Sequence, residues 1–549
     1  MIGGGHPSPA ARCPHSTMVP SVYRHLARTV AAIVVLAAGV TACSRAPAAT
    51  GASIPRTADG KPNLQGIWQV RNRASYDLEG HVASRGMLAG TTVVQGGAIP
   101  YQPWAAEKRI ANAASRQTAD PVAGCHLPGV PRIMYMDFPF QIFQTPEHIA
   151  MTFEWSLVHR RIAMNGAPAD GIDFWMGDSR GRWDGDTLVV DVTHHNDKTW
   201  FDMAGNFHSE ALQLVERYTL MDADTINYEV TVTDPKVFTR PWTMAMRFHR
   251  VTEESRLLEY QCHSEDEEAS GAFERDPRTW YPGPSVAVTL PPEWKDEAPA
   301  TPWKAPAPRG TIKRLPDGKP DLQGFFLSDA GGANYGLGKH ERDFLTPEGR
   351  GVIVDPPDGL LPLQEWAKAE TVARNTPERG YDDPTAHCFV PGVPRSMYVP
   401  GYMQILQPPG YVVTLHERMA WRIVSLDGRA HLPDGMRLWQ GDSTGRWEGD
   451  TLVIETTNLN GKAWLNEVGE IVSHAERVVE RLTPLDADTI QYEATVRDPL
   501  VYTRPWTIAF PIKRQKDEML EVACLEGNDD LQHLKEIRDQ ARAKKRRGR

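Results

Sequence analysis

GDSRGRWDGDTLVVDVTHHNDKTWFDMAGNFHSEALQLVERY, Gly177 to Tyr218, is written a second time as GDSTGRWEGDTLVIETTNLNGKAWLNEVGEIVSHAERVVERL, Gly441 to Leu482. The first half is shared: Trp183, Gly185, Asp186 and Thr187 recur as Trp447, Gly449, Asp450 and Thr451. Asp-Gly or Glu-Gly between two apolar-rich runs is a β-hairpin signal. The short side chain of Asp186 or Asp450 is expected to cap exposed amides at that turn. Beyond the hairpin the copies part, because His194, Asp197, Asp202 and Glu210 have no like residue in the second copy. A chain of 549 residues that repeats itself in this way reads as two domains of one design.

Outward from the hairpin, the same order of runs appears in both copies. FQIFQTP, IAMTFEW, WMGDS, DTLVVDVT, ALQLVERYTL, TINYEVTV and WTMAMRFHR lead to LLEYQC, and the second copy runs from MQILQPP through WTIAFPIKR to MLEVAC. Short strands separated by tight turns, without intervening helices, argue for an antiparallel sandwich or barrel. In TINYEVTV the apolar residues alternate with polar ones, so one face of the sheet is buried. Each copy opens on LQGIW or LQGFF, and Gly-x-Trp is similar to the opening of a lipocalin-type barrel. QPWAAEKRIANAASRQ from Gln102 and LQEWAKAETVARNT from Leu363 have helical spacing, with the Trp104, Ile110 and Ala114 face expected to pack on the barrel or close its mouth. PGVPR, at Pro128 and Pro391, forces extended or turn backbone and is read as structural. The fold expected is mostly β: two tandem antiparallel lipocalin-like β-barrels, each with a short helix, joined by a Pro-rich linker.

The boundaries follow. Residues 1–43 form a signal peptide, 44–55 a tether, 56–280 the first barrel, 281–310 the linker, 311–534 the second barrel and 535–549 a basic tail. From Met18, Arg24 and Arg28 precede the apolar run TVAAIVVLAAGV, which is short for a membrane-spanning helix. Whether translation starts at Met1 or Met18 stays open. Val40-Thr41-Ala42-Cys43 resembles the bacterial lipobox, which implies lipidation of Cys43 and, with Ser44 following, sorting to the outer membrane of a Gram-negative cell. An ordinary cleaved signal peptide is the alternative. Export makes the other cysteines a disulfide question. Cys125 and Cys262 are 137 residues apart, and Cys388 and Cys524 are 136 apart, so these are the expected pairs. Zinc held by Cys125, His126, Cys262 and His263 is the competing reading, and the second copy does not reproduce that set.

A formal net charge of -10 gives no basic field for nucleic acid, and no nucleic acid partner is expected. No Gly-x-Ser-x-Gly elbow, P-loop or dinucleotide fingerprint occurs, and no cofactor is expected. Two sets of residues remain. Arg240 and Arg504 of TRPW read either as staples to Asp234, Asp498, Glu216 or Glu480, or as anion-binding groups for a ligand, alongside Lys198 and Trp200. The second set is what only the first copy keeps: His194, Asp197, Asp202, His208 and Glu210, whose residue types suit general acid/base work near neutral pH. Tight metal-ligand spacing is lacking there, so no metal is expected.

DGKPxLQGxW, PGVPR, GDSRGRWxGDTLVV, the VER and DADT runs, TRPW and the terminal cysteine motif together resemble a large family of uncharacterised exported bacterial proteins. The resemblance covers nearly all of residues 55 to 534 and implies export but no particular activity. The function expected is that of a cell-envelope lipoprotein whose barrels bind an apolar or aromatic small molecule, attached to the membrane by its lipid. The alternative is a hydratase, lyase or isomerase using the His/Asp cluster, and a purely structural envelope role would be favoured by packed barrel interiors.

Overall fold

A computed structural model describes residues 54–167, 171–252, 256–263, 303–342, 346–377, 379–418 and 420–547. The signal segment with Cys43, most of the tether and most of the linker lie outside the described residues. In the first copy nine strands close a barrel in sequence order: β1 (Gly66–Val70), β2 (Phe140–Gln144), β3 (His148–Phe153), β4 (His159–Met164), β5 (Asp178–Asp184), β6 (Thr187–Thr193), β7 (Gln213–Asp222), β8 (Thr225–Thr233) and β9 (Trp242–Arg250). Helix α1 (Pro103–Ala119) lies between β1 and β2 in the chain. The second copy repeats this with β10 (Gly324–Ser328), β12 (Met403–Leu406), β13 (Tyr411–His416), β14 (Ala420–Ser425), β15 (Asp442–Glu448), β16 (Thr451–Thr457), β17 (Arg477–Pro484), β18 (Thr489–Arg497) and β19 (Trp506–Gln515). It adds β11 (Ile353–Asp355) on the flank of β19, helix α2 (Glu365–Arg374) and a final helix α3 (Asp529–Arg547). Among the described residues no helix is long and apolar enough to cross a membrane.

Each barrel closes where its first strand meets its last, Trp68 opposite Arg250 and Phe325 opposite Gln515. The glycine of the opening motif makes that closure possible. Gly66 has φ +140, and a Cβ there would stand 1.9 Å from the Arg250 guanidinium, which lies 4.3 Å over the Trp68 ring. Gly324, Arg514 and Phe326 repeat the arrangement. All neighbouring strands are antiparallel except β4 with β5 and β14 with β15, which pair in parallel. β8 alternates as its sequence does, with Ile226, Tyr228, Val230 and Val232 buried. Asp184 faces Thr187 across the expected hairpin, whose Gly185 has φ +59. Asp186 does not cap amides there. It takes both terminal nitrogens of Arg56 at 2.9 and 2.6 Å while Arg56 also holds the Gly60 carbonyl, and Asp450 does the same with Arg314. The hairpin is thereby locked to the DGKP turn.

The barrel axes are filled by the protein's own side chains. Arg160 of β4 and Glu216 of β7 form a buried pair, with the Tyr218 and Tyr228 hydroxyls donating to Glu216 at 3.1 and 2.5 Å and Ser179 accepting from Arg160 at 3.0 Å. Trp68, Phe140 and Phe248 pack among them with no more than 1% exposed. Arg422, Glu480, Tyr492 and Ser443 rebuild the same cluster in the second barrel. The arginines that staple the barrels are therefore not those of TRPW. Arg240 is exposed, and Arg504 forks Asp355 of β11 at 2.9 and 2.7 Å. Asp234 and Asp498 instead accept from the amide and hydroxyl of Ser209 and Ser473, 25 residues upstream, and from amides of their own turns. A residue just before proline at a strand entry stays outside the barrel, whereas a mid-strand arginine can reach the axis. Arg132 and Arg395, the arginines of PGVPR, fork buried Asp120 and Asp383.

The helix face expected to pack is not the one that does. Trp104 and Ile110 are 51% and 65% exposed, and α1 seats itself through Ala105, Arg109 and Asn112. Both expected disulfides form, Cys125–Cys262 and Cys388–Cys524, with Cα atoms 5.6 and 5.7 Å apart. Their presence places the chain in an oxidising, extracytoplasmic compartment. Replacing Cys388 and Cys524 together by serine is expected to lower unfolding free energy by up to about 5 kcal/mol, since each bridge closes a long loop. Urea unfolding of the variant measures this, and a loss under about 1 kcal/mol would contradict it.

Candidate functional site

The two barrels are not beads on a linker. A third apolar cluster joins them, bringing Phe143, Ala150 and Leu157 of the first against Leu406, Val413, Leu415 and Trp421 of the second. The seam has approximate two-fold symmetry. His159 Nε2 donates to the His416 carbonyl at 2.9 Å, and Trp421, which also stands just before its barrel's axial arginine, donates from Nε1 to the Phe153 carbonyl at 3.0 Å.

The segments carrying Cys262 and Cys524 then cross over. Each is disulfide-bonded to its own barrel and hydrogen-bonded to the other. Glu259 accepts from the Trp439 and Gln440 amides at 2.5 and 2.9 Å, and Glu521 accepts from those of Trp175 and Met176 at 2.8 and 2.9 Å. Burial pushes both carboxyl groups up to about 7, against the lowering effect of those amides. The flanking charges are of opposite sign in the two clasps. Glu518 meets Arg161 and Arg180 at 3.0 and 3.3 Å, while Arg256 meets Asp442. Exchanging the clasps would set like charges together, so the pairing of first barrel with second is specified.

Between the crossed clasps lies a cleft of about 110 Å³ lined by both disulfides. Its walls are mostly apolar, with Leu127 from the first barrel and Phe389, Val390 and Met403 from the second. His126 stacks on Trp175 at 5.3 Å, and its pKa is lowered by burial and by Lys198. His263 meets Phe389 edge-on at 6.0 Å, and Glu417 and Arg418 contribute opposite charges. His416 borders the cleft too, its pKa depressed to about 3 by burial, by His159 and by Arg422. An apolar concavity at a domain junction, with few polar groups converging on it, is the usual form of a small-molecule site.

The sequence pointed elsewhere, to the stretch from His194 to Glu210. His194 lies on left-handed backbone at φ +56, with Nδ1 3.7 Å from Asp173, and Asn458 occupies the same conformation in the second copy. Asp197 is exposed, and Glu210 is exposed and ion-paired with Lys236. His208 is buried, hydrogen-bonded to Thr199 Oγ1 at 2.6 Å and donating from Nδ1 to the Ser209 carbonyl at 2.9 Å, and burial lowers its pKa. Asp202 is fully buried and accepts from the amides of Leu78, Ala204 and Asn206 and from the Asn206 side chain, at 2.9, 3.0, 3.2 and 2.5 Å. Burial, with Asp77 close by, pushes it up to about 7.

The second copy has not lost that network. Asn466 stands for Asp202 and Glu470 for Asn206, so acid and amide have traded places, and Glu470 accepts from the Leu337 amide at 3.2 Å and from Asn466. The asymmetry at Asp202 is thus a swapped pair that folds a loop. Of the proposed ligand contacts, Lys198 stands 5.8 Å over Trp175 and is paired with Glu526, while Trp200 is half-buried and bridges to Phe207 on its own loop; neither lines the cleft. Among the described residues no cluster of three or more His, Cys, Asp or Glu is arranged to hold a metal ion. Sequence reasoning missed the cleft. The signal available was the Leu-Glu pair before each terminal cysteine and the Trp-x-Gly-Asp each glutamate docks on, both of which are written twice. Neither a protein-family model nor a curated protein matches the chain.

Proposed function

We propose that the chain is an exported binding module that holds a small apolar or aromatic molecule in the cleft between its barrels. The observation that carries the reading is the contrast between two interiors. The barrel axes are occupied by Arg160, Glu216, Tyr228 and their counterparts, whereas the cleft presents Phe389, Val390 and Met403 around open space. A lipid on Cys43 would hold the module at the outer membrane, in keeping with the lipobox-like VTAC and with the resemblance of its motifs to those of exported bacterial proteins.

Native mass spectrometry of the purified protein after soaking in pooled apolar and aromatic metabolites tests the binding. A retained small molecule is expected in the parent and lost in Ala523→Trp, which fills the cleft. Retention in that variant would place the ligand elsewhere and overturn the reading. A change of mass in the metabolite at sub-stoichiometric protein would favour the acid/base alternative instead.

A further inference from the structure

The approximate two-fold symmetry of the seam makes each departure from it informative, and one departure puts a charge on the cleft. In the first barrel β3 runs on into Glu154 and Trp155, and in the second β13 runs on into Glu417 and Arg418. The two glutamates do the same work. Glu154 Oε2 accepts from the Leu258 amide at 3.2 Å and Glu417 Oε1 from the Leu520 amide at 3.3 Å, so each holds its own barrel's clasp. The other oxygen of Glu417 accepts from the Tyr402 amide at 3.0 Å. Its carboxylate, although it lines the cleft, is committed to the backbone.

The residues that follow the glutamates differ. Trp155 is buried in the first barrel's core and pairs through its backbone with Tyr260. Arg418 is exposed and lines the cleft, and its guanidinium has neither an ion pair nor a hydrogen bond among the described residues. Glu467 lies within electrostatic range of it. That carboxyl, however, is pushed by burial up to about 7 and accepts from Asn334 Nδ2 at 2.7 Å. His126, lowered by burial and by Lys198, and His416, depressed to about 3, add no charge near pH 7. Of the two full charges on the lining, the anion is used by the fold and the cation is not.

Resting on the cleft reading above, we propose that the ligand is a monocarboxylic acid with a small apolar body, bound as its anion, whose carboxylate is taken by the Arg418 guanidinium. The body lies against Phe389, Val390 and Leu525, which the second barrel sets where the first has His126, Leu127 and His263. Charge selects the head. A guanidinium is a planar fork that matches a carboxylate, and one unused cation answers one negative charge. A phosphate monoester brings closer to two, with Glu417 next to Arg418 in the chain to repel the second. Size limits the body. The cleft's 110 Å³ is somewhat less than the roughly 150 Å³ of an engineered cavity, in another protein, that takes benzene, which leaves room for about one ring.

Saturation-transfer NMR and calorimetry on the full chain near neutral pH and at low salt, with benzoate, its uncharged isostere benzamide, and phenyl phosphate, decide the matter. Benzoate is expected to bind at least about fivefold more tightly than benzamide, less than a buried charge would yield because Arg418 is exposed. Added salt should shrink that preference. Arg418→Gln, at an exposed position, should bring the ratio towards one while leaving benzamide affinity within about twofold, and Arg418→Lys should keep part of it. Phenyl phosphate should bind more weakly than benzoate. Equal affinities for benzoate and benzamide in the parent, a preference that survives Arg418→Gln, or tighter binding of phenyl phosphate would overturn carboxylate recognition while the cleft reading stands. Binding of none of the three, or binding that survives Ala523→Trp, would overturn this proposal together with the cleft reading.

Discussion

Replacing Arg160 by methionine is expected to lower the unfolding free energy by about 3–5 kcal/mol, the usual cost of removing one partner from a buried ion pair. The reason lies in what is left behind. Glu216 has no exposed surface, and without Arg160 its carboxylate keeps only the hydroxyls of Tyr218 and Tyr228 in the middle of an apolar barrel. Burial opposes the charge on Arg160 itself, yet Glu216 and the tyrosines outweigh it and its pKa is raised. Removing both charges is a different experiment. Arg160→Met combined with Glu216→Leu takes the uncompensated charge away, so the double variant should be more stable than Arg160→Met alone, although it loses the polar cluster. Urea unfolding followed by tryptophan fluorescence gives both numbers. An Arg160→Met loss below about 1 kcal/mol would mean that water reaches the barrel axis, and the lumen would then regain its standing as a ligand chamber.

That same arginine shows where the sequence stops speaking. The hairpins, the alternation of β8 and β18, the duplicated plan and both disulfides were legible because each is a local pattern or a matched spacing. Strand β4 was not, because His159, Arg160 and Arg161 in a row look like surface. In the fold Arg160 turns to the axis, Arg161 meets Glu518 of the second copy's clasp, and His159 meets the second barrel. Their partners lie between 19 and 357 residues away, beyond the reach of any periodicity. The helix failed for the opposite reason. Trp104 and Ile110 have the spacing of a buried face, but Arg109 and Asn112 find Asp77 and the Gly205 carbonyl, and those polar contacts choose which side turns inward. Comparing the copies position by position misled at Asp202, where the compensating change sits four residues on at Glu470. The cleft depends on how two barrels meet, and that was written only in the repeated Leu-Glu and Trp-x-Gly-Asp pairs.

The symmetry of that meeting supplies a second large effect, in the response to acid. His416 of the second barrel and Phe153 of the first end corresponding strands, and the carbonyl of each accepts a ring N–H from across the seam. His416→Phe therefore installs a residue the fold already accommodates at the equivalent place. The parent should pay for its histidine only in acid. In the folded chain burial, His159 and Arg422 hold His416 down to about 3, while in the unfolded chain it titrates near its ordinary 6.5. Below 6.5 the unfolded chain binds a proton that the folded chain refuses, so stability contributed by this residue is complete above 6.5 and falls as pH drops towards 3. His159, depressed to about 4 by burial against the raising effect of its own bond to the His416 carbonyl, adds a fall of the same sign and remains in the variant. Glu259 and Glu521 work the other way. Raised to about 7, they favour the folded state below their unfolded values and lose that contribution as pH rises through 7. A profile of the parent alone would mix these opposed slopes, but the difference between parent and variant isolates His416. Near pH 7.5 the two proteins should have similar stability, and at pH 4 the variant should be ahead by about 3 kcal/mol. Urea midpoints measured from pH 4 to 8 give the difference directly. A difference that stays flat across that range would show that His416 is solvated at the seam, and the tight contact between the barrels from which the cleft is built would have to be redrawn.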